Sequence, residues 1–394
     1  MLSVVLFALL GIMAAASLLT VVHAPDWPWA WKLGILVGEF GHLLWLLVAG
    51  LAVWVGLNMA GAPRVAGLAL AACTIGCLLR PVFLARRIAT VLPKEMAAVG
   101  ETAKSPERVF SYRRLVKPPS TPAVSVATEV YDRSDGQELK LDFYGPALTP
   151  AEGARPRPCV VVIHGGGWDS GERTQLAKWN TRLVARGYTV AALSYRLAPR
   201  WIWPAQRDDV VAAIAWLKVN AGKLGLDPTR LVLLGRSAGG QLATAVGYGT
   251  HDPAIRGVIA LYAPHDMLFS WSVSRADDAL NSIKLMSQYF GGPPDTPARR
   301  TLYASASGQL LAQADSPPTL LLHGIPDTLA WYRHSERLAA RLRELGVPHY
   351  YLRLPWATHG FDFNPDGPGG QLADYAISRW LSAVCRSDAS GPRI

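Results

Sequence analysis

The chain has 394 residues, half of them apolar, and a formal net charge of +10, which suits one large catalytic domain with an additional region. Its four cysteines are too few and too scattered for a disulfide framework, and no Cys/His spacing predicts a metal site. Many of the basic residues lie at positions 80–117, directly after apolar segments, which favours contact with a membrane surface over binding of nucleic acid.

Three apolar segments open the chain, at residues 1–22, 33–57 and 65–84. Each is long enough to cross a bilayer, so we predict a transmembrane region over residues 1–84. The first segment has no Lys or Arg at its start and is followed by two more spans, which argues against a cleaved signal peptide. Trp27, Trp29 and Trp31 crowd the first loop, as expected for a loop in the headgroup layer.

The charges beside the spans favour one membrane orientation. Lys32, Arg80, Arg86 and Arg87 lie on the same side as the long C-terminal part, whereas Arg64 alone lies on the other side. Because cytoplasmic loops carry the excess of Lys and Arg, we predict that the C-terminal part is cytoplasmic.

Two polar residues interrupt the second span. Glu39 and His42 are three apart, so a helix would bring them to neighbouring faces, where they could share a proton. The alternative, which we favour, is that both are structural and pair or reach toward the interface from near the helix end.

Residues 85–122 are polar, basic and proline-containing, and we interpret them as a juxtamembrane linker. Short apolar runs then alternate with amphipathic helical stretches across residues 123–386, and a tail of residues 387–394 follows. This alternation predicts an α/β domain with a mostly parallel sheet covered by helices on both faces. Residues 124–131 and 138–143 predict an antiparallel hairpin at the sheet edge.

A Gly-x-Ser-x-Gly sequence lies between a predicted strand and a predicted helix, with Ser237 at its centre. Glycines permit the sharp turn from which the serine must project as a nucleophile. The pentapeptide alone is a weak signal, and its position between strand and helix strengthens it.

A glycine-rich turn follows the buried strand upstream, at His164, Gly165, Gly166, Gly167 and Trp168. Its backbone N–H groups and that of Ala238 are candidates for an oxyanion hole. The alternative is a tight glycine turn with no catalytic part. We interpret His164 itself as structural.

Asp327 and His359 each stand just beyond a predicted strand, 32 residues apart. With Ser237 they give the chain order serine, acid, histidine, at the strand ends where parallel sheets carry their sites. A histidine can activate the serine, and a carboxylate can fix the tautomer of the imidazole. We interpret His323 as structural, and His265, His334 and His349 as surface residues.

These motifs resemble those of the hormone-sensitive-lipase-like branch of the α/β-hydrolase superfamily, which includes bacterial carboxylesterases and acetyl esterases. The resemblance covers residues 124–384 and includes the Ser194 to Pro199 segment. It implies the α/β-hydrolase fold after about three transmembrane helices, an acyl-enzyme mechanism with Ser237, His359 and Asp327, an oxyanion hole from Gly166, Gly167 and Ala238, and no cofactor. The expected substrate is a small lipophilic ester, and the spans would contact membrane lipid.

Two features leave the substrate open. Arg236 precedes the nucleophile, where the branch often has an acidic residue, and it would either favour an anionic substrate or form a surface ion pair. Residues 262–317 are too long for a simple connection and predict a cap over the acyl pocket, or the core of an inserted helical piece. Trp168, Arg236 and Trp271 are the predicted substrate contacts.

Other functions use the same residues. A prenylcysteine methylesterase-like enzyme, to which the N-terminal spans are similar, an amide hydrolase and a thioester hydrolase would all keep the same triad. A non-catalytic receptor with this fold would not need all three triad residues, and a membrane scaffold would leave the glycine-rich turn unexplained. The sequence does not predict an oligomeric state.

Overall fold

The computed structural model describes residues 2–97, 108–145, 153 and 155–386. The predicted C-terminal tail, residues 387–394, and residues 98–107 of the predicted linker lie outside this range. The chain opens with α1 (Leu2–Ser17), a 3-10 turn (Leu18–Thr20), α2 (Ala30–Asn58) and α3 (Gly61–Ala97). Three stretches, Ser3–Thr20, Ala30–Asn58 and Gly61–Ala97, are long and apolar enough to cross a membrane.

The N-terminal helices pack on one another through a small apolar cluster that includes Leu10, Val37, Val48 and Leu78. Many other apolar side chains of these helices face outward, such as Leu46, which is 58% exposed. An outward apolar surface of this kind is unfavourable in water and suits hydrocarbon.

An eight-stranded sheet forms the centre of the remaining chain, in the order β1-β2-β4-β3-β5-β6-β7-β8. The first two strands form an antiparallel hairpin at one edge, as predicted, and β2 also pairs antiparallel with β4. The other neighbours are parallel. The strands are β1 (Ser125–Ser134), β2 (Gln137–Gly145), β3 (Arg157–Ile163), β4 (Thr189–Leu193), β5 (Leu226–Arg236), β6 (Ile255–Leu261), β7 (Thr319–Gly324) and β8 (His349–Leu354).

Helices cover both faces of the sheet. They are α4 (Tyr112–Val116), α5 (Ala177–Ala185), α6 (Ala205–Val219), α7 (Ala221–Leu224), α8 (Ala238–Gly249), α9 (Met267–Val273), α10 (Ser282–Phe290), α11 (Pro297–Ser305), α12 (Gly308–Leu311), α13 (Arg333–Glu344) and α14 (Pro368–Val384). Successive residues of β3 point to opposite faces, so Val161 joins a core with α6, α8 and α13, while Val162 joins a core with α5 and α14.

Described parts of the predicted linker pack against the domain that follows the candidate spans. The predicted linker begins at residue 85, but α3 continues to Ala97, and Ala85, Leu92 and Met96 are buried in the α5/α14 core. Further on, the Ser111 N–H donates to Gln371 Oε1 at 2.8 Å. Apolar residues at helical spacing among the basic ones explain why this segment packs against the domain instead of spanning a gap.

The predicted cap region, residues 262–317, contains α9 to α12 between β6 and β7. Its aromatic residues Tyr289, Phe290 and Tyr303 are fully buried in the α6/α8/α13 core. Other residues of the same region, among them Leu285, line the cavity described below. The region thus contributes side chains both to the core and to the cavity, and a cap over an acyl pocket stays a prediction.

Candidate active site

Ser237 lies in the turn between β5 and α8, with φ 53° and ψ −120°. This conformation is rare for a residue with a side chain and costs about 1–3 kcal/mol. A hydrogen bond from the Ser237 N–H to the carbonyl of Leu261 (2.9 Å) helps to hold it. A Cβ at Gly235 would overlap the backbone of Gly239, and one at Gly239 would overlap the end of β3, so neither position accepts a larger residue without a shift.

Asp327 and His359 follow β7 and β8, and the structure brings them together. His359 Nδ1 lies 2.8 Å from Asp327 Oδ2, while Asp327 Oδ1 accepts hydrogen bonds from the N–H groups of Leu329 and Ala330. Burial alone would raise the pKa of Asp327, but the neighbouring His359 and His323 outweigh it and hold the pKa below its usual value. The carboxylate is therefore ionised and oriented toward the His359 ring.

The glycine-rich turn follows β3 directly. Gly166 and Gly167 have φ values of 122° and 59°, which explains why glycine occupies both positions. The Gly165 N–H donates to Gln175 Oε1 at 2.9 Å, whereas those of Gly166 and Gly167 have no hydrogen-bond partner among the described residues. Ala238 begins α8, where helical N–H groups also lack a partner within the helix.

Trp168 contacts the cavity and is held rigidly. It lines the cavity but is only 4% exposed, its ring stacks on Tyr289 (centroids 4.3 Å apart), and its Nε1–H donates to Gln241 Oε1 at 2.8 Å. Gln241 also accepts from the Tyr289 hydroxyl and donates to the carbonyl of Ala306. Gln241 was not predicted from the sequence, because a single buried amide leaves no periodic signal in it.

Arg236 points away from solvent, in contrast to the predicted surface ion pair. Its Nε donates to Asp362 Oδ2 at 2.5 Å, and both side chains are buried. The Tyr262 hydroxyl donates to the other oxygen of Asp362 at 2.6 Å. The Tyr262 ring in turn lies 4.5 Å from that of His359. The guanidinium is thus paired through Nε with a carboxylate beneath the site, while its Nη2 has no hydrogen-bond partner among the described residues.

One cavity of about 1070 Å³ joins these elements. Its lining includes Ser237, His359, Gly166, Gly167, Ala238, Trp168 and Arg236. Asp327 lies behind His359, outside this lining. Trp271, a predicted substrate contact, is not among the described lining residues and packs edge-to-face on Tyr303 instead.

The transmembrane candidate α2 forms part of the same cavity, which the sequence analysis did not predict. Trp31, Ile35, Leu36 and Phe40 all line it. Trp31 and Ile35 are four residues apart, as are Leu36 and Phe40, so these side chains form two rows along the helix. An apolar face looks the same in sequence whether it meets lipid, another helix or a pocket, so this contact carried no signal.

Glu39 and His42 both bind the rest of the chain instead of each other. Glu39 Oε2 accepts from the Gly369 N–H (2.9 Å) at the start of α14, and Glu39 Oε1 accepts from Trp356 Nε1 (3.2 Å). His42 Nε2 lies 2.9 Å from the carbonyl oxygen of Leu115. These contacts agree with the favoured interpretation that Glu39 and His42 are structural residues. Their partners, however, lie in the part of the chain after the candidate spans.

Two histidines expected at the surface are buried. His265 and His334 are 0% and 3% exposed, and burial is the main cause that lowers their pKa values, to about 3 for His334. His334 lies 3.2 Å from Ser270 Oγ. His323 and His164 are buried, consistent with the structural interpretation, and the His164 ring stacks on Tyr195.

Part of the chain matches a known protein family. Residues 141–342, just over half of the chain, match the family model described as BD-FAE. Esterase LipC of Mycobacterium tuberculosis is 30% identical over 60% of this chain and 60% of its own length. Ethyl acetate hydrolase of Pseudomonas putida is 38% identical over 58% of this chain and 72% of its own length.

Solved structures have the same fold. Esterase LipW of Mycobacterium marinum superposes with a TM-score of 0.55 at 25% identity, covering 77% of this chain and 87% of LipW. A bacterial heroin esterase superposes with a TM-score of 0.57 at 24% identity, covering 78% of this chain and 93% of that chain. The chain spans 60% of the length of the first curated relatives, LipQ and LipC of Mycobacterium tuberculosis. Sheet order, family model and structural relatives agree, and the chain belongs to the BD-FAE family within the esterase branch of the α/β-hydrolase superfamily.

Proposed function

We propose that this protein is a membrane-anchored carboxylic-ester hydrolase with Ser237 as the nucleophile, His359 as the base and Asp327 as the orienting acid. The observation that carries the proposal is the 2.8 Å contact between Asp327 and His359. His359 lines the same cavity as Ser237, which lies in a strained turn. The curated relatives named as esterases support the ester as the substrate class.

The proposed reaction has two halves. His359 takes the proton of Ser237 Oγ, which forms a bond to the carbonyl carbon of the ester. The tetrahedral oxyanion is stabilised by the N–H groups of Gly166, Gly167 and Ala238, and its collapse breaks the bond to the alcohol oxygen, which leaves with the proton from His359. Water then loses a proton to His359 and attacks the acyl carbon. The bond from that carbon to Ser237 Oγ breaks, His359 returns the proton to Ser237 Oγ, and the acid is released.

The proposed anchor consists of the three apolar helices, with the catalytic domain on the cytoplasmic side. The three stretches with the length and composition of spans support it, as does the position of Lys32, Arg80, Arg86 and Arg87 on the side of the catalytic domain. Membrane lipid would then surround the outward apolar side chains of these helices. A lipophilic ester is the proposed partner at the site.

Ser237→Ala tests the proposal in detergent-solubilised full-length protein. We expect the mutant to lose at least about a thousandfold in kcat/KM on a series of p-nitrophenyl esters, because no other group supplies the nucleophile. A fluorophosphonate label should mark the wild type and not the mutant. Unchanged thermal unfolding in Ser237→Ala is the control for an intact fold.

Other results of the labelling and turnover measurements would contradict parts of the proposal. Labelling without ester turnover would contradict the ester and move the search to amides or thioesters. If folded protein shows no labelling and no turnover, the result would favour a receptor or a scaffold. A charged, membrane-impermeant phosphonate should label inverted vesicles and not right-side-out ones, and the reverse pattern would contradict the cytoplasmic placement.

A further inference from the structure

The helix α2 contributes directly to the pocket of the proposed hydrolase. The Trp31 ring meets the His359 ring edge-on, with centroids 6.2 Å apart. A Cβ at Gly360, the residue after His359, would lie 3.2 Å from Ile35 Cδ1. A helix with the length and composition of a membrane span thus lies against His359, the proposed base.

The pocket lining changes from polar to apolar along α2. Asp26 and Lys32, at the start of this region, line it together with Arg275, and Asp26 pairs with Arg275 at 3.1 Å. Leu36 and Phe40 line it further along the helix. A lining of this kind suits an amphiphile, with a polar group near the ion pair and a hydrocarbon chain beside Leu36 and Phe40.

The apolar end of the pocket is open. Leu36 is 44% exposed although it lines the cavity, and Phe363, another lining residue, is 62% exposed. Large apolar side chains at a pocket mouth are unfavourable in water but not in hydrocarbon. The mouth therefore continues into the outward apolar surface of α2, which includes Leu43 and Leu47.

The mouth also lies at the right depth for a bilayer. Trp27 and Trp29 are 55% and 56% exposed just before α2, and such rings together with Lys32 are typical of the headgroup layer. With a rise of about 1.5 Å per residue, Leu36 is about 6 Å and Phe40 about 12 Å beyond Lys32 along α2. These two side chains would lie where the domain rests on the bilayer, because Glu39 and His42, further along α2, still contact residues after the candidate spans.

We propose that the substrate is a long-chain amphiphilic ester that enters from the bilayer, past Leu36 and Phe363, with its hydrocarbon chain against α2. This inference rests on the proposed function, which supplies the chemistry at Ser237. A cavity of about 1070 Å³ exceeds what a short ester fills, in agreement with a long chain.

Leu36→Trp tests the proposal in full-length protein reconstituted into phosphatidylcholine vesicles. The measured quantity is a ratio, hexadecyl over butyl, of the rates at which two alkyl phosphonofluoridates label Ser237. The same ratio is measured for hydrolysis of p-nitrophenyl palmitate over butyrate. The matched control is Leu46→Trp, because Leu46 is 58% exposed on the same helix and is not among the described lining residues.

We expect both ratios to fall at least about tenfold in Leu36→Trp, because the indole narrows the path of the long hydrocarbon chain. In Leu46→Trp both ratios should stay within about twofold of the wild-type values. Equal ratios in wild type and Leu36→Trp, or an equal fall in both variants, would overturn the lateral path. Labelling by the butyl probe counts folded sites, so misfolding cannot imitate either result.

The two readouts separate this inference from the proposed function. If the wild type is labelled but hydrolyses neither ester, the proposal of ester hydrolysis is wrong. The labelling ratio would still decide whether a hydrocarbon chain lies along α2. If Ser237 is not labelled at all in folded protein, both proposals are overturned.

Discussion

The buried pair of Arg236 and Asp362 connects the nucleophile turn to the loop that carries His359. Arg236 directly precedes Ser237, and Asp362 is three residues beyond His359. Their contact at 2.5 Å, with Tyr262 on the second carboxylate oxygen, satisfies both oxygens of a fully buried carboxylate. A buried charge without its partner is strongly unfavourable, so the loss of either residue should destabilise the protein.

Arg236→Met should lower the free energy of unfolding by about 3 kcal/mol or more, because it leaves the Asp362 carboxylate buried without a cation. Arg236→Met with Asp362→Leu should recover part of this loss. Thermal unfolding of the detergent-solubilised proteins measures both. Unchanged stability in Arg236→Met, together with a raised KM for anionic esters alone, would instead support a substrate-binding arginine.

Among the elements, α2 lies directly against the proposed catalytic loop. Its glycines make that approach possible: a Cβ at Gly34 would lie 3.1 Å from Thr358 Cγ2, and one at Gly38 would lie 3.6 Å from Trp356. Thr358 immediately precedes His359. On the next turn, Gly41 lets the backbone of α3 approach at Leu78. The apolar helix, a candidate membrane span, thus also supports the His359 loop.

Gly34→Val should lower kcat on a short ester by about tenfold or more, because the added methyl groups push on Thr358 and displace His359. The matched control is Gly50→Val, on the same helix, where a Cβ would meet nothing within 4 Å. Steady-state kinetics with active-site titration measure both variants. Equal effects of the two substitutions would contradict a positioning role of α2.

At the scale of the whole molecule, an ion cluster ties the segment after the spans to the catalytic domain. Arg114 of α4 contacts Asp366 (3.1 Å) and Asp374 (3.0 Å). Arg182 of α5 also contacts Asp366, and Arg186, directly after α5, contacts Asp374. Burial alone would raise the pKa values of both aspartates, but the surrounding arginines outweigh it and lower them.

The lowered pKa values give the cluster a definite pH dependence. Both aspartates hold their protons less tightly when folded than when unfolded, where the pKa is about 3.9, so the stabilisation is present above about pH 4. It is lost as the pH falls through the lowered folded values. Asp374→Asn should therefore show a flatter decline of the unfolding temperature below about pH 4 than the wild type.

Asp208→Asn is the matched control for this experiment, because Asp208 pairs with Arg207 at the surface and is about half-exposed. Its unfolding temperature should follow the pH curve of the wild type. If Asp374→Asn follows that curve as well, the cluster does not contribute to acid sensitivity.

The sequence by itself determined the local features of this protein. Alternating apolar runs and amphipathic stretches predicted the parallel sheet and its edge hairpin, since each signal repeats within a few residues. The order of Ser237, Asp327 and His359 at strand ends predicted that they would share one sheet edge, and the Asp327–His359 contact agrees with this. Their catalytic parts stay predictions until Ser237→Ala is measured.

Only the tertiary structure decided which distant residues meet. Glu39 bonds to Trp356 across 317 positions of the chain, and Arg236 bonds to Asp362 across 126. Such contacts depend on how whole helices dock, and neither periodicity nor composition encodes the docking of one element on another. For the same reason α2 looked like any other apolar span, and its place in the pocket became visible only when the helix lay against His359.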